Sequence, residues 1–366
     1  MKNFILFFAM LLFTGSAVRA QSETELKNEI ESLRNQLSAM RHSFNSLEKQ
    51  IDDILWYQRL GDVAFIDKVE ITGPPLTEAQ IKHFSKGGNN PTLLARNPLR
   101  FKTYVFIPRF ANSQKKYPLL VFPHGGVHGD FNTFYVHILR ELMAQGYIVV
   151  APEYRGSTGY GQRFYESIDY GGLEVQDVKA ARDWMVENYG IVDDKRVGIL
   201  GWSHGGMITL LNLFEYPDAY KVGYAGVPVS DLIARMGYKT DGYRDLYSVD
   251  YHIGKTAHQD PEEYRRRSPA WQAHKLQTPL LIHTNTNDPD VNVLEVEHLI
   301  KALKAEGKKF EYEIFEEAPG GHAFDRIDTK LAGEVRFKVY KFLERYLDPP
   351  RPFESLKDLR KAGYGF

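Results

Sequence analysis

Along residues 26 to 54, apolar side chains recur in alternating steps of four and three: Leu26, Ile30, Leu33, Leu37, Met40, Phe44, Leu47, Ile51 and Ile54. Neither glycine nor proline interrupts residues 21 to 60. The spacing predicts one coiled-coil-like helix with a heptad stripe of about four repeats, on the order of 50 Å long. With Ile30, Leu37, Phe44 and Ile51 at the a positions and the others at d, the Ile/Leu choice favours a parallel homo-oligomer, a dimer. In it Glu29 meets the partner's Arg34. The competing expectation is a long amphipathic helix that lies on the rest of its own chain.

From about residue 64 the period changes. Short β-rich pieces come first: Asp67 to Thr72, Leu99 to Ile107 and Tyr117 to Pro123. Apolar strands then follow at Tyr147 to Ala151, Arg196 to Leu200, Val222 to Ala225, Pro279 to His283 and Phe310 to Phe315. Helical periodicity falls between and after them, at Thr133 to Ala144, Leu173 to Tyr189, Met207 to Phe214, Val293 to Ala305 and Lys330 to Tyr346. This alternation predicts an α/β fold, a mostly parallel, doubly wound sheet covered on both faces. A tyrosine- and charge-rich stretch, residues 231 to 275, interrupts the pattern as an insertion. Within it Asp260-Pro261 has the form of a helix start. Arg265, Arg266 and Arg267 are either a solvated helix face or a site for a substrate carboxylate. The expected division is residues 21–60 as the helix, 61–350 as the main domain and 351–366 as a C-terminal tail.

The run Arg196 to Met207 carries the sharpest chemistry. Its short apolar strand ends in Gly201-x-Ser203-x-Gly205 and turns directly into a helix. That is the nucleophile elbow of an α/β-hydrolase, so Ser203 is the expected nucleophile. Partners in this fold follow in the order Ser, then Asp or Glu, then His. His322, in the loop Ala318-Pro-Gly-Gly-His-Ala-Phe324 after a strand, is the expected base, whereas His298 falls within a helical segment. Asp288 is the expected orienting carboxylate, with Asp290 as its rival. Oxyanion donors are expected from the backbone N–H of His204 and from the His-Gly-Gly turn at Gly125 and Gly126. His124 and His128, four apart, could suggest a metal, but the turn offers no third ligand, and no metal or organic cofactor is expected. His124, Trp202, Leu232, Arg235 and Tyr238 are the candidate walls of the substrate pocket.

A formal charge of −1 leaves no overall field to attract nucleic acid or an anionic bilayer. Residues 1 to 20 combine Lys2, the apolar stretch Phe4 to Phe13 and Val18-Arg19-Ala20 before Gln21. That is the pattern of a cleaved secretory signal peptide, too short in its apolar part to leave a stable membrane span. A periplasmic or secreted protein is therefore expected. The chain has no cysteine, which removes disulfides, thiolate nucleophiles and cysteine-bound zinc.

Several segments together resemble the catalytic domain of the prolyl oligopeptidase (S9) family of serine peptidases, over roughly residues 98 to 348. They are Pro123-His-Gly-Gly126, Pro152 to Gly161, Glu174 to Trp184, Gly201-Trp-Ser-His-Gly-Gly206, Arg267-Ser-Pro269, Asp288-x-x-Val291 and Gly321-His-Ala-Phe324. The resemblance implies an α/β-hydrolase fold and a Ser203, Asp288, His322 triad. It also implies a peptidase acting on short or acylated peptides. The departures are specific. Only about forty residues separate the heptad stripe from the hydrolase region, so the family's β-propeller is not expected. The chain reads Asp231-Leu-Ile-Ala-Arg235 where dipeptidyl-peptidase relatives place pocket aromatics, and it has Asp290 where they place asparagine. Those changes remove the expectation of proline specificity and leave a carboxylesterase as the alternative activity. A non-catalytic module built around the helix is the remaining rival.

Overall fold

The computed structural model describes residues 2–86 and 88–363, with side chains from Ser22 onward. The leader expected at residues 1–20 therefore lies outside the residues whose side chains are described. Among the described residues no helix is long and apolar enough to cross a membrane.

All eight strand segments of the sequence pattern form one sheet. They are β1 (Ala64–Thr72), β2 (Arg100–Pro108), β3 (Tyr117–Val121), β4 (Ile148–Pro152), β5 (Val192–Trp202), β6 (Val222–Gly226), β7 (Leu280–Asn285) and β8 (Glu311–Phe315). Their order is β1-β2-β4-β3-β5-β6-β7-β8. The first two pairings, β1 with β2 and β2 with β4, are antiparallel, and all later ones are parallel. Strands β3, β4, β6 and β7 are buried along their whole length, as sheets covered on both faces require. Alternate residues feed two cores. Leu119, Val121, Val197 and Ile199 point to one, while Leu120, Phe122, Leu200 and Trp202 point to the other.

Helices Leu173–Asn188 and His204–Glu215 cover the first face, and Val136–Gln145 and Lys330–Leu347 cover the second. Helices Glu78–Lys86 and Pro91–Arg96 lie in a stretch the apolar pattern leaves unassigned. The second is begun by Asn90, whose side chain accepts from the amides of Thr92 and Leu93 ahead of Pro91 in the first turn. The expected C-terminal tail folds back as a helix, Leu356–Gly363, and buries Phe353 and Leu359 in the second core. The insertion forms helices Leu232–Tyr238, Asp241–Ser248 and Pro261–Arg266, the last capped by the Asp260 carboxylate. Its consecutive arginines 265 to 267 are engaged within the chain. Arg265 pairs with Glu262, Arg266 with Glu263, and Arg267 with Asp169.

Helix α1 (Lys2–Leu60) is a single continuous element. It does lie on its own chain near its C-terminal end, but through the side opposite the heptad stripe. His42, Lys49, Trp56 and Leu60 are buried there, while the stripe from Leu26 to Ile54 stays exposed.

Candidate active site

Ser203 joins β5 to the helix His204–Glu215 with φ 60° and ψ −122°, a conformation that costs a non-glycine residue on the order of 1–3 kcal/mol. The turn is held from both sides. Ser203 N–H donates to the Gly226 carbonyl at 2.9 Å, and Met207 N–H donates to the Ser203 carbonyl at 3.0 Å. Both motif glycines are required by close approach. A Cβ at Gly201 would lie 2.4 Å from the Gly205 carbonyl oxygen, and one at Gly205 would lie 2.3 Å from that of Pro123. The elbow is thus wedged against the 123–126 turn, which leaves Ser203 only 6% exposed.

Asp288 lies just beyond the C-terminal end of β7 and His322 in the loop after β8, on the same side of the sheet as Ser203. His322 Nδ1 is 2.7 Å from Asp288 Oδ2. The other carboxylate oxygen, Oδ1, accepts from the amides of Asp290 at 2.8 Å and Val291 at 2.9 Å. With that side chain fully buried and the imidazole 23% exposed, the ring is oriented from behind and open in front. The loop is tied down at two further points. Asn285 Nδ2 donates to the carbonyls of Ala318 and Gly321, and its Oδ1 accepts from Ala318 N–H. Asp325 accepts from Trp202 Nε1 at 2.6 Å and from Tyr224 Oη at 2.8 Å. The residue before Ser203 is therefore bonded to the third residue after His322, which draws the elbow and the histidine loop together.

On the opposite side of the elbow the chain passes over Ser203 at Gly125. A Cβ there would meet the Trp202 carbonyl oxygen at 3.1 Å and Ser203 Cβ at 3.5 Å. Gly125 N–H donates to the Tyr135 hydroxyl at 3.3 Å, so this amide, one of the two expected oxyanion donors of the turn, already has an acceptor. Gly126 follows with φ +75°, and the His204 amide opens the helix, where first-turn N–H groups lack intrahelical acceptors.

The expected pocket walls separate into two groups. His124 is fully buried, stacked on Tyr154 at 4.2 Å with Nε2 2.8 Å from Ser157 Oγ, and burial pushes its pKa down to about 3. It supports the turn from beneath and is not a wall. Trp202 and Leu232 are likewise core residues, because the elbow turns the tryptophan toward Asp325 and the helix Leu232–Tyr238 turns the leucine inward. Arg235 and Tyr238 converge beside the histidine. Arg235 Nη1 lies 2.9 Å from Glu295 Oε1 and Nη2 lies 3.2 Å from Asp290 Oδ1, while Tyr238 Oη donates to Glu295 at 2.6 Å. Lys239 also bonds Asp290 Oδ1. The remaining oxygen, Oδ2, stands 3.6 Å from His322 Nε2. Burial raises the cost of that charge, but Lys239, Arg235 and His322 outweigh it and hold the Asp290 pKa below the ordinary carboxylate value. No sequence spacing signals Lys239, Asn285 or Asp325, since each acts across the sheet on a residue far away in the chain.

Two further motifs of the sequence are supports. In the segment Pro152 to Gly161, Arg155 forms a two-pronged, fully buried pair with Asp177 of the helix Leu173–Asn188 at 2.7 and 2.8 Å. Its neighbour Glu153 accepts from the Phe131 amide and meets Lys49 of α1 at 2.5 Å. The long helix therefore reaches beneath the loop that follows the Gly125-Gly126 turn.

Comparison with known proteins agrees with this architecture. Solved structures that the chain resembles include an acylaminoacyl peptidase in complex with Z-Gly-Gly-Phe-chloromethyl ketone. That match has a TM-score of 0.65 and 21% identity, over 84% of this chain and 46% of the other. The dipeptidyl peptidase 4 of Porphyromonas gingivalis matches with a TM-score of 0.60 and 21% identity, over 78% and 36%. Among curated relatives, an uncharacterized peptidase of Bacillus subtilis is 32% identical over 56% of this chain and 31% of its own length. An acylamino-acid-releasing enzyme of Arabidopsis thaliana is 28% identical over 67% and 32%. The chain thus spans about a third of the length of these relatives. The model of the prolyl oligopeptidase peptidase family matches residues 132–349, and the chain belongs to that family.

Proposed function

We propose that this chain is an exported serine peptidase that cleaves short or acylated peptides. The single observation that carries the reading is the buried Asp288 carboxylate 2.7 Å from His322 Nδ1, on the side of the sheet where the strained turn holds Ser203. In this reading His322 Nε2 takes the proton of Ser203 Oγ as that oxygen attacks the substrate carbonyl. Asp288 stabilises the imidazolium, and the amides of His204 and Gly126 face the developing oxyanion. The imidazolium then protonates the leaving amine, and water activated by the same imidazole releases the acyl group from Ser203. The acyl side of the substrate is assigned from relatives named as acylamino-acid-releasing enzymes and dipeptidyl peptidases. Export rests on the leader pattern of residues 1–20.

Labelling with a fluorophosphonate probe is expected for the native chain and lost in Ser203→Ala. Paired turnover of acyl-aminoacyl nitroanilides and aryl esters tests the bond cleaved. Hydrolysis of esters with none of amides overturns the peptidase reading and leaves a carboxylesterase. A mature N-terminus at Gln21 in the periplasm or medium is the expected mark of export.

A further inference from the structure

We infer that the outward stripe of α1 is the interface for a second copy of this chain, paired in parallel as a two-stranded coiled coil. Helix α1 has two opposed faces with separate tasks. In the heptad register, His42, Lys49 and Trp56 occupy f, diametrically across from a and d, and all three are buried against the hydrolase domain. Lys49 donates to the Phe131 carbonyl at 2.6 Å, and the Trp56 ring stacks on Phe131 at 5.6 Å. The helix is thereby fixed with its a/d stripe pointing away from its own domain. All nine stripe residues from Leu26 to Ile54 are between 41% and 70% exposed. No rotation of the helix could bury them without withdrawing Lys49 and Trp56.

Residues 22–37 are exposed on every side and extend about 24 Å beyond the hydrolase domain. A helix segment of that length is marginal alone in water and depends on packing of an apolar face. A second α1 supplies that packing. Isoleucine at two of the four a positions, with leucine at most d positions, favours two strands. Flanking charge suits a parallel pair, since Glu29 at g meets the partner's Arg34 at e twice, and no g–e′ pair of like charge arises. A lipid surface fits less well. The solvent-facing positions carry Glu23, Glu25, Glu29, Glu31 and Glu48 against Lys27, Arg34 and Arg41, whereas helices that lie on bilayers are lysine- and arginine-rich there. Because the hydrolase domains sit on the f faces, they stand on opposite outer sides of the pair and do not collide.

Sedimentation equilibrium of the full mature chain at micromolar concentration is expected to give twice the chain mass. Leu37→Glu, at a position 68% exposed and remote from the hydrolase core, is expected to halve that mass with an unchanged thermal midpoint of the domain. The absence of native cysteine makes orientation testable as well. Leu33→Cys is expected to cross-link to itself on oxidation, because equivalent d positions adjoin only in a parallel pair. A single-chain mass for the native protein overturns the inference. So does a native mass unmoved by Leu37→Glu, a trimer or tetramer, or a monomer that co-sediments with anionic vesicles. A dimer in which Leu33→Cys fails to cross-link overturns the parallel arrangement.

Discussion

Asp290 is the residue whose placement most changes the chemistry expected of the site. One of its oxygens is held by Lys239 and Arg235, and the other faces His322 Nε2 at 3.6 Å, on the side of the ring turned away from Asp288. The imidazole therefore lies between two carboxylates, with the second partly neutralised by cations of the insertion. In Asp290→Asn the charge facing His322 is removed, Lys239 and Arg235 lose their carboxylate partner, and kcat/KM is expected to fall several-fold on an acyl-aminoacyl nitroanilide. Retention of Ser203 labelling would show that the fold is intact. An unchanged kcat/KM would mean that Asp290 serves only as a partner for Lys239 and Arg235. In the sequence Asp288 and Asp290 were close rivals for one role. In the structure they have different partners: the amides of residues 290 and 291 donate to Asp288, while Asp290 bonds Lys239 and Arg235.

Among the elements, α1 is the one whose role the apolar pattern conceals. Its heptad stripe is legible in the sequence, yet its contact with the hydrolase domain runs through His42, Lys49, Trp56 and Leu60, a mix of polar and apolar positions outside that stripe. Lys49 enters a site where Glu153 is fully buried and Asp130 largely so. Removing the ammonium leaves that carboxylate charge uncompensated, so Lys49→Met is expected to cost about 3–5 kcal/mol, measured by urea unfolding. Adding Glu153→Gln should recover part of the loss. A double variant no more stable than the single one would place the effect in packing and not in charge. The insertion shows the same limit of sequence patterns. Its tyrosines and arginines mark it as an insertion, but Arg235, Tyr247 and Tyr264 are buried because Glu295, the Tyr243 hydroxyl and the Lys255 carbonyl satisfy them. Helix starts within it were readable, as at Asp260-Pro261, because capping is a local interaction.

For the whole molecule, the neutral histidines beneath the site set the response to acid. Burial holds the pKa of His124 at about 3, those of His128 and His283 at about 4 and that of His252 at about 2. Unfolded histidine takes up a proton near 6.5, so the unfolded chain binds more protons as the pH falls. Each group then weakens the fold by roughly 1.4 kcal/mol per pH unit between about 6.5 and its folded value. Glu153, Glu141, Glu215 and Glu295 act in the other direction, since burial raises their pKa values, that of Glu153 to about 7, and the folded state takes those protons first. His137, also held at about 3 by burial, adds to the imidazole effect that these carboxyls offset in part, and the thermal midpoint is expected to drop from pH 7 to pH 4.5. Calorimetry that shows a flat or rising midpoint over that interval would contradict this balance.

The sequence by itself determined whatever depends on short-range repetition. Strand and helix periods gave the α/β alternation, and the Gly-x-Ser-x-Gly turn fixed the position of the elbow. The step of four and three marked the stripe of α1. Each follows from backbone geometry within a few residues. Tertiary structure decided the rest, because those properties depend on distance through space. Assembly of the sheet brought Asp325 to Trp202 and Asn285 to the histidine loop, and burial places His124, Trp202 and Leu232, candidate pocket walls in the sequence, within the core. The orientation of α1 was set by Lys49 and Trp56, which both meet Phe131, 82 residues along the chain from the lysine, a separation no local period can encode.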